Sequence, residues 1–287
     1  VGSEMCIRDR VGSCYTQALL QQGHVLVGLC DLQPSNQIST TVQEAGAQIH
    51  NAPGAWLSDA DVVLSAVFGT VAHEIFRASL GHLKRGTLYV DMTTADPLEM
   101  KACAALAREA QVDFVDVAIT GAVNLGGAKT PLLLAGEQAQ AVQELYAPFG
   151  GSVRVVGSNP GEAASLKLLR SIFTKGMEAL AVECLGTAEA MGLREQLYVV
   201  LEDIDQTPLR SLMESMVQTH IPHSGRRRNE VIEAQHQIKA QGLLPIVSQG
   251  VEAMFAATAQ AQATHPYSGT SITDALHWLN NRVLASK

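Results

Sequence analysis

The sequence predicts two successive domains, a doubly wound α/β domain with a mainly parallel sheet and then an all-α domain. Two observations support this prediction. Short apolar runs alternate with helix-like stretches between residues 24 and 157, which is typical of strands joined by crossover helices. From Gly161 onward, helix-forming residues dominate the chain.

The α/β region contains several strand-like segments. The run DVVLSAVF at 61–68 is apolar throughout, as expected for a parallel strand that helices cover on both faces. The other strand-like segments are 24–31, 47–50, 87–92, 112–119, 132–136 and 153–157. Helices are predicted between them, at 13–22, 38–46, 71–80, 97–110 and 137–147.

The second domain begins with a long helix-forming stretch from Gly161 to Met191. Because this stretch is apolar on most sides, we expect it to be buried on most sides. The rest of the chain is also predicted to be helical, with breaks near Pro208, Pro222, Pro245 and Pro266. The predicted domains are therefore 11–158 for the Rossmann-like α/β part and 159–287 for the all-α part.

Composition limits the function classes. The chain has 287 residues, and its net charge of −8 argues against nucleic acid or an anionic membrane as the main partner. No apolar run is long enough to span a bilayer, and the first ten residues lack a signal-peptide core. The five cysteines are scattered, which predicts reduced thiols in a cytoplasm and no metal site.

The first ten residues, VGSEMCIRDR, do not fit the α/β pattern of residues 11–157. A dinucleotide-binding unit has an apolar strand here that leads into G-x-G-x-x-G. If Gly12 is the third glycine, Ile7 and Asp9 occupy the first two glycine positions. We therefore interpret residues 1–10 as a non-native leader and the first strand as missing or replaced. Gly12 and Ser13 remain candidate cofactor contacts, and we expect weak or absent cofactor binding.

Asp31 ends a strand-like run and lies nineteen residues after Gly12. An acidic residue at this place can accept hydrogen bonds from the adenine ribose of NAD and would repel the extra phosphate of NADP. A turn-capping role within DLQPSN is the alternative. Val67 and Phe68, at the end of the run 61–68, are also assigned to the cofactor site. NAD is thus the predicted cofactor, with NADP as the alternative.

DMTTADP, at 91–97, follows a strand at the carboxyl edge where α/β sheets bind ligands. Thr93 and Thr94 can donate hydrogen bonds to a cofactor or substrate oxygen. The other interpretation is a capped helix start, with Thr94 or Asp96 as the cap and Pro97 in the first turn. The two interpretations are compatible.

A second polar loop follows the strand-like segment at 112–119. Thr120 and Gly121 open a glycine-rich stretch, where a hydroxyl and backbone amides could hold a substrate carboxylate. A surface loop would contain the same residues, so the alternative stays open.

Lys167 is the most informative side chain of the long helix. A lysine in such an apolar helix is costly to bury unless it is paired or functional. Ser171 lies four residues later and therefore on the same helix face. A desolvated lysine can have a pKa low enough for acid/base catalysis near neutral pH. A solvated polar stripe is the alternative.

The segment HIPHSGRRRNE, at 220–230, gathers basic residues around Arg227. Arginine matches the geometry of carboxylates and phosphates, so this segment is a candidate anion site. A salt-bridged surface turn is the alternative.

Together, these motifs resemble the β-hydroxyacid dehydrogenase superfamily, which includes 3-hydroxyisobutyrate dehydrogenase and 6-phosphogluconate dehydrogenase. The resemblance covers residues 11–287. DMTTADP resembles that family's D-x-S-T-x-x-P, and DVAITGA at 116–122 resembles its D-A-P-V-S-G-G. LKLLRS resembles the catalytic G-x-x-x-K-x-x-N-N, with Arg170 and Ser171 at the two asparagine positions. The variant K-L-L-R-S and the later HSGRRRNE, at 223–230, resemble a subgroup with a distinct helical C-terminal domain.

The resemblance implies hydride transfer between a nicotinamide cofactor and a small anionic hydroxyacid, in a homodimer. It makes Lys167 the general base and places Thr94 near the nicotinamide or the substrate. The residues that it brings to the substrate are Thr93, Thr120, Gly121, Arg170, Ser171 and Arg227. Reduction of an imine or another carbonyl compound is one alternative. The other is a non-catalytic, dimerising protein whose cofactor site is impaired.

Overall fold

The computed structural model describes the backbone of residues 2–286 and the side chains of residues 11–286. The chain divides after Ile172 into two compact units. The interpretation of residues 1–10 as a non-native leader rests on side chains outside the described residues, so it stays a prediction. The domain boundary at residue 158 is likewise still a prediction.

The strands of the first unit form two separate sheets. In the small sheet, β1 (Gly28–Cys30) pairs in parallel with β2 (Gln48–His50). The larger sheet has five strands in the order β3 (Val62–Ser65), β4 (Leu88–Asp91), β5 (Asp113–Ile119), β6 (Leu132–Ala135) and β7 (Val153–Gly157). Its pairs are parallel except β5 with β6, which is antiparallel. The predicted fold class is confirmed.

Strand β1 is shorter than the segment 24–31 predicted for it. It has only three residues, and Val25 is 86% exposed. The apolar pattern predicts a strand, but pairing decides how much of it forms, and β1 is paired with β2 alone among the described strands.

Helices cover both faces of the larger sheet. Successive residues of a strand point to opposite faces. Tyr89 of β4 packs with Phe76 on one face, whereas Val90 packs with Tyr15 and Tyr146 on the other. The helices of this unit are α1 (Gly2–Gln21), α2 (Asn36–Glu44), α3 (Ala72–Leu80), α4 (Pro97–Glu109), α5 (Val123–Gly126) and α6 (Ala139–Tyr146).

The start of α4 is built as the sequence predicts. The Asp96 carboxylate accepts a hydrogen bond from the Leu98 amide at 2.7 Å, and Pro97 is the first helical residue. This cap places the polar turn 91–96 between the end of β4 and the start of α4.

The second unit is helical. Helix α7 (Glu162–Ala190) begins in the first unit and continues into the second. The other helices are α8 (Arg194–Val200), α9 (Glu202–Asp205), α10 (Leu209–Ala240), α11 (Ile246–Thr264) and α12 (Ile272–Leu279). In the described part of the chain, no helix combines the length and the apolar character needed to cross a membrane.

The expected break at Pro222 is wrong, and so is the surface turn at 220–230. Both lie inside α10, which continues through the proline. Proline removes one helical hydrogen bond and strains the preceding turn. Its neighbour Ile221 is fully buried against Ala275 and Leu279. Tertiary packing beside Pro222 therefore holds the helix together.

Helix α7 is not buried on most sides, contrary to the expectation. Ile172 and Val182 are each 72% exposed, and other leucine and methionine side chains along the helix are also exposed. Small residues such as Ala163 and Ala164 form its buried contacts. An apolar composition indicates surface that favours being covered, but it does not determine whether the same chain covers it.

Candidate active site

The centre of the candidate site is a contact between Lys167 and Thr94. Lys167 lies in the second turn of α7, and its Nζ donates a hydrogen bond to Thr94 Oγ1 at 2.9 Å. Thr94 follows β4 at the carboxyl edge of the sheet. Burial lowers the pKa of the Lys167 ammonium, while the nearby carboxylate of Asp116 opposes that shift. The structure thus brings together two residues that the sequence singled out separately.

The turn that carries Thr94 is strained and held by hydrogen bonds. Thr94 has φ of 54°, in the left-handed region that β-branched residues rarely adopt. Before it, the Asp91 carboxylate accepts hydrogen bonds from the Thr93 amide at 2.9 Å and from the Thr93 hydroxyl at 2.5 Å. Such strain costs about 1–3 kcal/mol and persists only where the surroundings impose it. Here it directs the Thr94 hydroxyl toward Lys167.

Asp116 fixes the start of the helix that carries Lys167. It lies on β5, fully buried, and its Oδ2 accepts hydrogen bonds from the amides of Gly161 at 2.9 Å and Ala164 at 3.0 Å. A carboxylate at a helix N-terminus satisfies free amides and favours the helix dipole. The motif DVAITGA contains Asp116 but does not by itself indicate this capping role. An acidic residue within the apolar strand segment VDFVDVAI was the signal for this role.

Asp91 and Asp116 are neighbours in the sheet, paired across β4 and β5. Both are fully buried, and each has one carboxyl oxygen without a hydrogen-bond partner among the described residues. Burial raises the pKa of Asp91 to about 6, against the hydrogen bonds from Thr93 and with help from the charge of Asp116. Burial also raises the pKa of Asp116. The site therefore combines two carboxyl groups that resist ionisation with one lysine amine that resists protonation.

Gly161 allows α7 to start close to α4. Its φ is 96°, and a Cβ atom at this position would lie 2.6 Å from the Pro97 carbonyl oxygen. Only glycine tolerates both the conformation and the close approach. The sequence motifs did not identify Gly161 as part of the site.

Thr120 and Gly121 lie at the end of β5. The Thr120 hydroxyl donates a hydrogen bond to the Pro131 carbonyl at 3.0 Å, and the Thr120 amide bonds to the same oxygen. Gly121 is exposed, and a Cβ atom there would lie 3.0 Å from the Thr130 methyl group. These contacts shape the loop, and the carboxylate-binding role of both residues stays a prediction.

The predicted cofactor residues fall into two groups. Asp31 directly follows β1, and its carboxylate accepts a hydrogen bond from the Gln33 amide at 2.9 Å, as the turn-capping alternative predicted. Val67 and Phe68 follow β3, at the same edge as Thr94. Their roles toward a cofactor stay predictions.

Gly12 and Ser13 form the second group, and they lie within α1. A pyrophosphate site needs the free amides of a helix N-terminus, whereas amides inside a helix are already bonded. Gly12 and Ser13 therefore do not fit the phosphates of a dinucleotide. The carboxyl edge of the sheet does have polar groups that could contact the other parts of the cofactor.

The candidate substrate residues on the helices are distributed between the two units. Ser171 follows Lys167 by one helical turn, and Arg170 is exposed. In the second unit, Arg227 donates a hydrogen bond to the Thr219 hydroxyl at 3.0 Å. Its neighbours form ion pairs, Arg226 with Glu230 and Arg228 with Glu252. The salt-bridged alternative thus describes Arg226 and Arg228, and the anion-binding role of Arg170, Ser171 and Arg227 stays a prediction.

Two protein families match the chain. Residues 11–157 match the NAD-binding domain of 6-phosphogluconate dehydrogenase. This range includes Asp91, Thr94 and Asp116 of the candidate site, but not Lys167 on α7. The chain belongs to this family. Residues 188–264 match a domain of unknown function, DUF1932. The resemblance inferred from the motifs is confirmed.

Relatives of this NAD-binding family member include characterised enzymes. An uncharacterised 28.5 kDa protein of Methanothermus fervidus is 29% identical, over 80% of this chain and 89% of that protein. Mouse mitochondrial 3-hydroxyisobutyrate dehydrogenase is 27% identical over 64% of this chain, and the match spans 54% of the mouse enzyme. An imine reductase from Myxococcus stipitatus, solved with NAD⁺, has a TM-score of 0.74 at 16% identity, covering 94% and 96% of the two chains. That likeness shows the fold.

Proposed function

We propose that the chain is an NAD(P)-dependent oxidoreductase that transfers a hydride between a nicotinamide cofactor and a small hydroxyacid or related carbonyl compound. The observation that carries this proposal is the contact between Lys167 and Thr94 at the carboxyl edge of the sheet, in a member of an NAD-binding family. In this proposal, Lys167 is the general acid/base.

The lysine supplies the proton step. Neutral Lys167 Nζ takes the proton of the substrate hydroxyl in the oxidative direction, and the ammonium returns it in the reductive direction. Its lowered pKa makes the neutral amine accessible nearer to physiological pH. Thr94 orients Nζ, and Asp116 stabilises the ammonium that forms.

The test is a Lys167→Met variant, made in a version whose first ten residues are replaced by an apolar strand and a glycine turn. We expect turnover to fall by about a hundredfold or more, the usual contribution of a positioned acid/base, with little change in NADH affinity. Lys175→Met is the matched control, because Lys175 is exposed and pairs with Glu178 at 2.7 Å. Retained turnover in Lys167→Met, together with its loss in Lys175→Met, would refute the assignment.

The substrate we propose is a small anion. Thr93, Thr120, Gly121 and Ser171 would contact it, and Arg170 or Arg227 would bind its carboxylate or phosphate. Asp31 would favour NAD over NADP, because its carboxylate binds the ribose hydroxyls and repels a 2′-phosphate.

Imine reduction is the second candidate. It is favoured by Arg170 and Ser171, which stand where hydroxyacid dehydrogenases have two asparagines, and by the fold shared with the imine reductase. Two assays distinguish the candidates. One measures NAD⁺ reduction with a panel of 2- and 3-hydroxyacids, and the other measures NADH and NADPH oxidation with cyclic imines. Activity on imines alone would favour this second function, and binding without turnover would favour a non-catalytic protein.

We also propose a cytoplasmic homodimer without a nucleic-acid partner. The exposed apolar side chains of α7 support dimerisation. Cys14, Cys103 and Cys184 are free thiols, which supports a reducing compartment. The net charge of −8 supports the absence of a nucleic-acid partner.

A further inference from the structure

One arginine of α10 lacks a negatively charged partner. Arg227 is partly buried, and its guanidinium donates a hydrogen bond to the Thr219 hydroxyl at 3.0 Å. The arginines on either side of it form ion pairs, one with Glu230 and the other with Glu252. In the described part of the chain, no carboxylate pairs with Arg227 itself. A partly buried charge without a counter-charge is costly, so this guanidinium favours an anion from outside the chain.

Thr219 does not supply the missing negative charge. Its hydroxyl donates its one proton to the Ser215 carbonyl at 2.8 Å and accepts the hydrogen bond from Arg227. A guanidinium has five N–H donors in a planar fork, and the bond to Thr219 uses one of them. The remaining donors match the two oxygens of a carboxylate.

The imidazole of His220, the next residue on α10, has a fixed tautomer. Its Nε2 lies 2.8 Å from Thr258 Oγ1 on α11. Because the Thr258 hydroxyl donates its only proton to the Met254 carbonyl at 3.0 Å, it accepts a hydrogen bond from His220. His220 therefore carries its proton on Nε2, and its ring packs on Phe255 with 4.7 Å between the ring centroids.

The other ring nitrogen of His220, Nδ1, is a free acceptor. Burial and the charge of Arg227 both lower the pKa of His220, so the imidazole is neutral at neutral pH and has a lone pair on Nδ1. That atom has no hydrogen-bond partner in the described part of the chain and is not enclosed by protein. Because Arg227 reaches back to Thr219, a cationic donor and a free acceptor lie side by side on α10.

We propose that Arg227 and His220 bind a small carboxylate that carries a hydroxyl group on the carbon next to it. Arg227 donates to the two carboxylate oxygens, and the hydroxyl donates to His220 Nδ1. A carboxylate without this hydroxyl uses the arginine alone, and a fully ionised phosphate presents only lone pairs to Nδ1. The site in the second unit thus selects 2-hydroxycarboxylates.

This inference deepens the proposed function, in which an arginine binds the substrate anion. A hydroxyl held by His220 is not the one that Lys167 deprotonates, so the carbon that loses the hydride carries another hydroxyl. The substrate class therefore narrows to small acids with at least two hydroxyl groups. Binding at Arg227 and His220 is measured without NAD, so the measurement does not depend on hydride transfer.

The experiment titrates the full chain, without cofactor, with glycerate and with 3-hydroxypropanoate. These two acids differ only in the hydroxyl next to the carboxylate. Calorimetry measures the affinities, and nitrogen NMR of the histidine rings reports the contact at Nδ1 of His220. We expect glycerate to bind about tenfold more tightly, the contribution of one hydrogen bond, and to shift the Nδ1 signal. Equal affinities of the two acids, or no saturable binding of glycerate, would overturn the proposal.

Three variants connect this binding to the two side chains. Arg227→Gln should weaken glycerate binding about tenfold or more. Arg226→Gln removes the same charge one residue earlier and should change the affinity little, because Arg226 already pairs with Glu230. His220→Phe keeps an aromatic ring against Phe255 but removes the acceptor, so the two acids should bind this variant equally.

The outcomes that contradict the proposal are equal losses in the two arginine variants and a retained preference for glycerate in His220→Phe. The arginine pair and the two acids decide the matter even where His220→Phe does not fold. A chain that binds glycerate as described but catalyses no hydride transfer would refute the proposed function and support this site. Loss of turnover in Lys167→Met, together with equal binding of the two acids, would refute this site alone.

Discussion

Thr94 shows how one residue links backbone strain to the site. Its left-handed conformation follows directly after the hydrogen-bonded Asp91–Thr93 turn, and its hydroxyl accepts a hydrogen bond from Lys167 Nζ at 2.9 Å. The sequence motifs identified Thr93, Thr94 and Lys167. They could not identify the strain, because φ depends on the hydrogen bonds of the folded turn.

Replacing Thr94 separates the strain from the hydroxyl. Thr94→Ala removes the hydroxyl and keeps a Cβ in the left-handed region, whereas Thr94→Gly removes both. We therefore expect the glycine variant to have a free energy of unfolding about 1 kcal/mol higher than that of the alanine variant. Urea denaturation of the two variants measures this difference. A less stable glycine variant would show that the turn is relaxed.

Asp91 predicts a pH-dependent stability. Its folded pKa of about 6 lies above its usual 3.8, so the protonated carboxyl favours the folded state. This stabilisation is fully present below about pH 4 and is lost as the pH rises through 6. Asp91→Asn mimics the protonated form. We expect it to raise the free energy of unfolding by about 2–3 kcal/mol at pH 8 and to have little effect at pH 4. Parallel stability curves for the two proteins across this range would contradict the assignment.

At the scale of elements, the start of α7 is the critical junction. Asp116 of β5 caps it, and Gly161 lets it approach Pro97 at the start of α4. These contacts hold the start of α7 against one strand, β5, and against the start of one helix, α4. Because Lys167 lies on α7, fixing the start of the helix also fixes the position of Lys167.

A pair of glycines in this region tests the junction. Gly161→Ala should lower the free energy of unfolding by about 2 kcal/mol or more, because φ is positive and the added Cβ meets the Pro97 carbonyl. Gly176→Ala, inside the same helix with nothing within 4 Å of its Cβ, should raise it by about 0.5–1 kcal/mol. Thermal denaturation measures both. Similar effects of the two substitutions would mean that the junction tolerates a side chain.

The exposed apolar side chains of α7 carry the dimerisation proposal. We expect the double variant Ile172→Glu with Val182→Glu to shift the protein from dimer to monomer in sedimentation experiments. Leu98→Glu is the control, because Leu98 on α4 is also 72% exposed and should not affect association. A monomeric unmodified chain would contradict the proposal directly.

At the scale of the whole molecule, the family match and the local structure indicate opposite results for cofactor binding. The chain belongs to an NAD-binding family, yet α1 runs through Gly12 and Ser13, where the phosphates of a dinucleotide need free amides. The gap between the two sheets lies beside this helix. Both features concern the region in which the sequence lacks the expected strand pattern.

We therefore predict that this chain binds NADH weakly or not at all. Replacing residues 1–10 with a valine- and isoleucine-rich strand that leads into Gly-Phe-Gly-Glu should restore tight binding, because it supplies both a strand and a glycine turn. Calorimetry with NADH on the two proteins measures the difference. Equally tight binding by both would show that the present residues are a working substitute.

The sequence by itself determined the order of strands and helices in the first unit, a capped helix start at Thr94 or Asp96, and the residues of the Thr94–Lys167 contact. These features depend on local periodicity, capping chemistry and motif spacing, which neighbouring residues encode. Only the tertiary structure decided that β1 and β3 belong to separate sheets, that α10 continues through Pro222, and that α7 is exposed. It also revealed that Asp116 caps α7. Strand pairing, burial and a cap supplied from another strand depend on residues that are distant in the chain, and no local pattern specifies them.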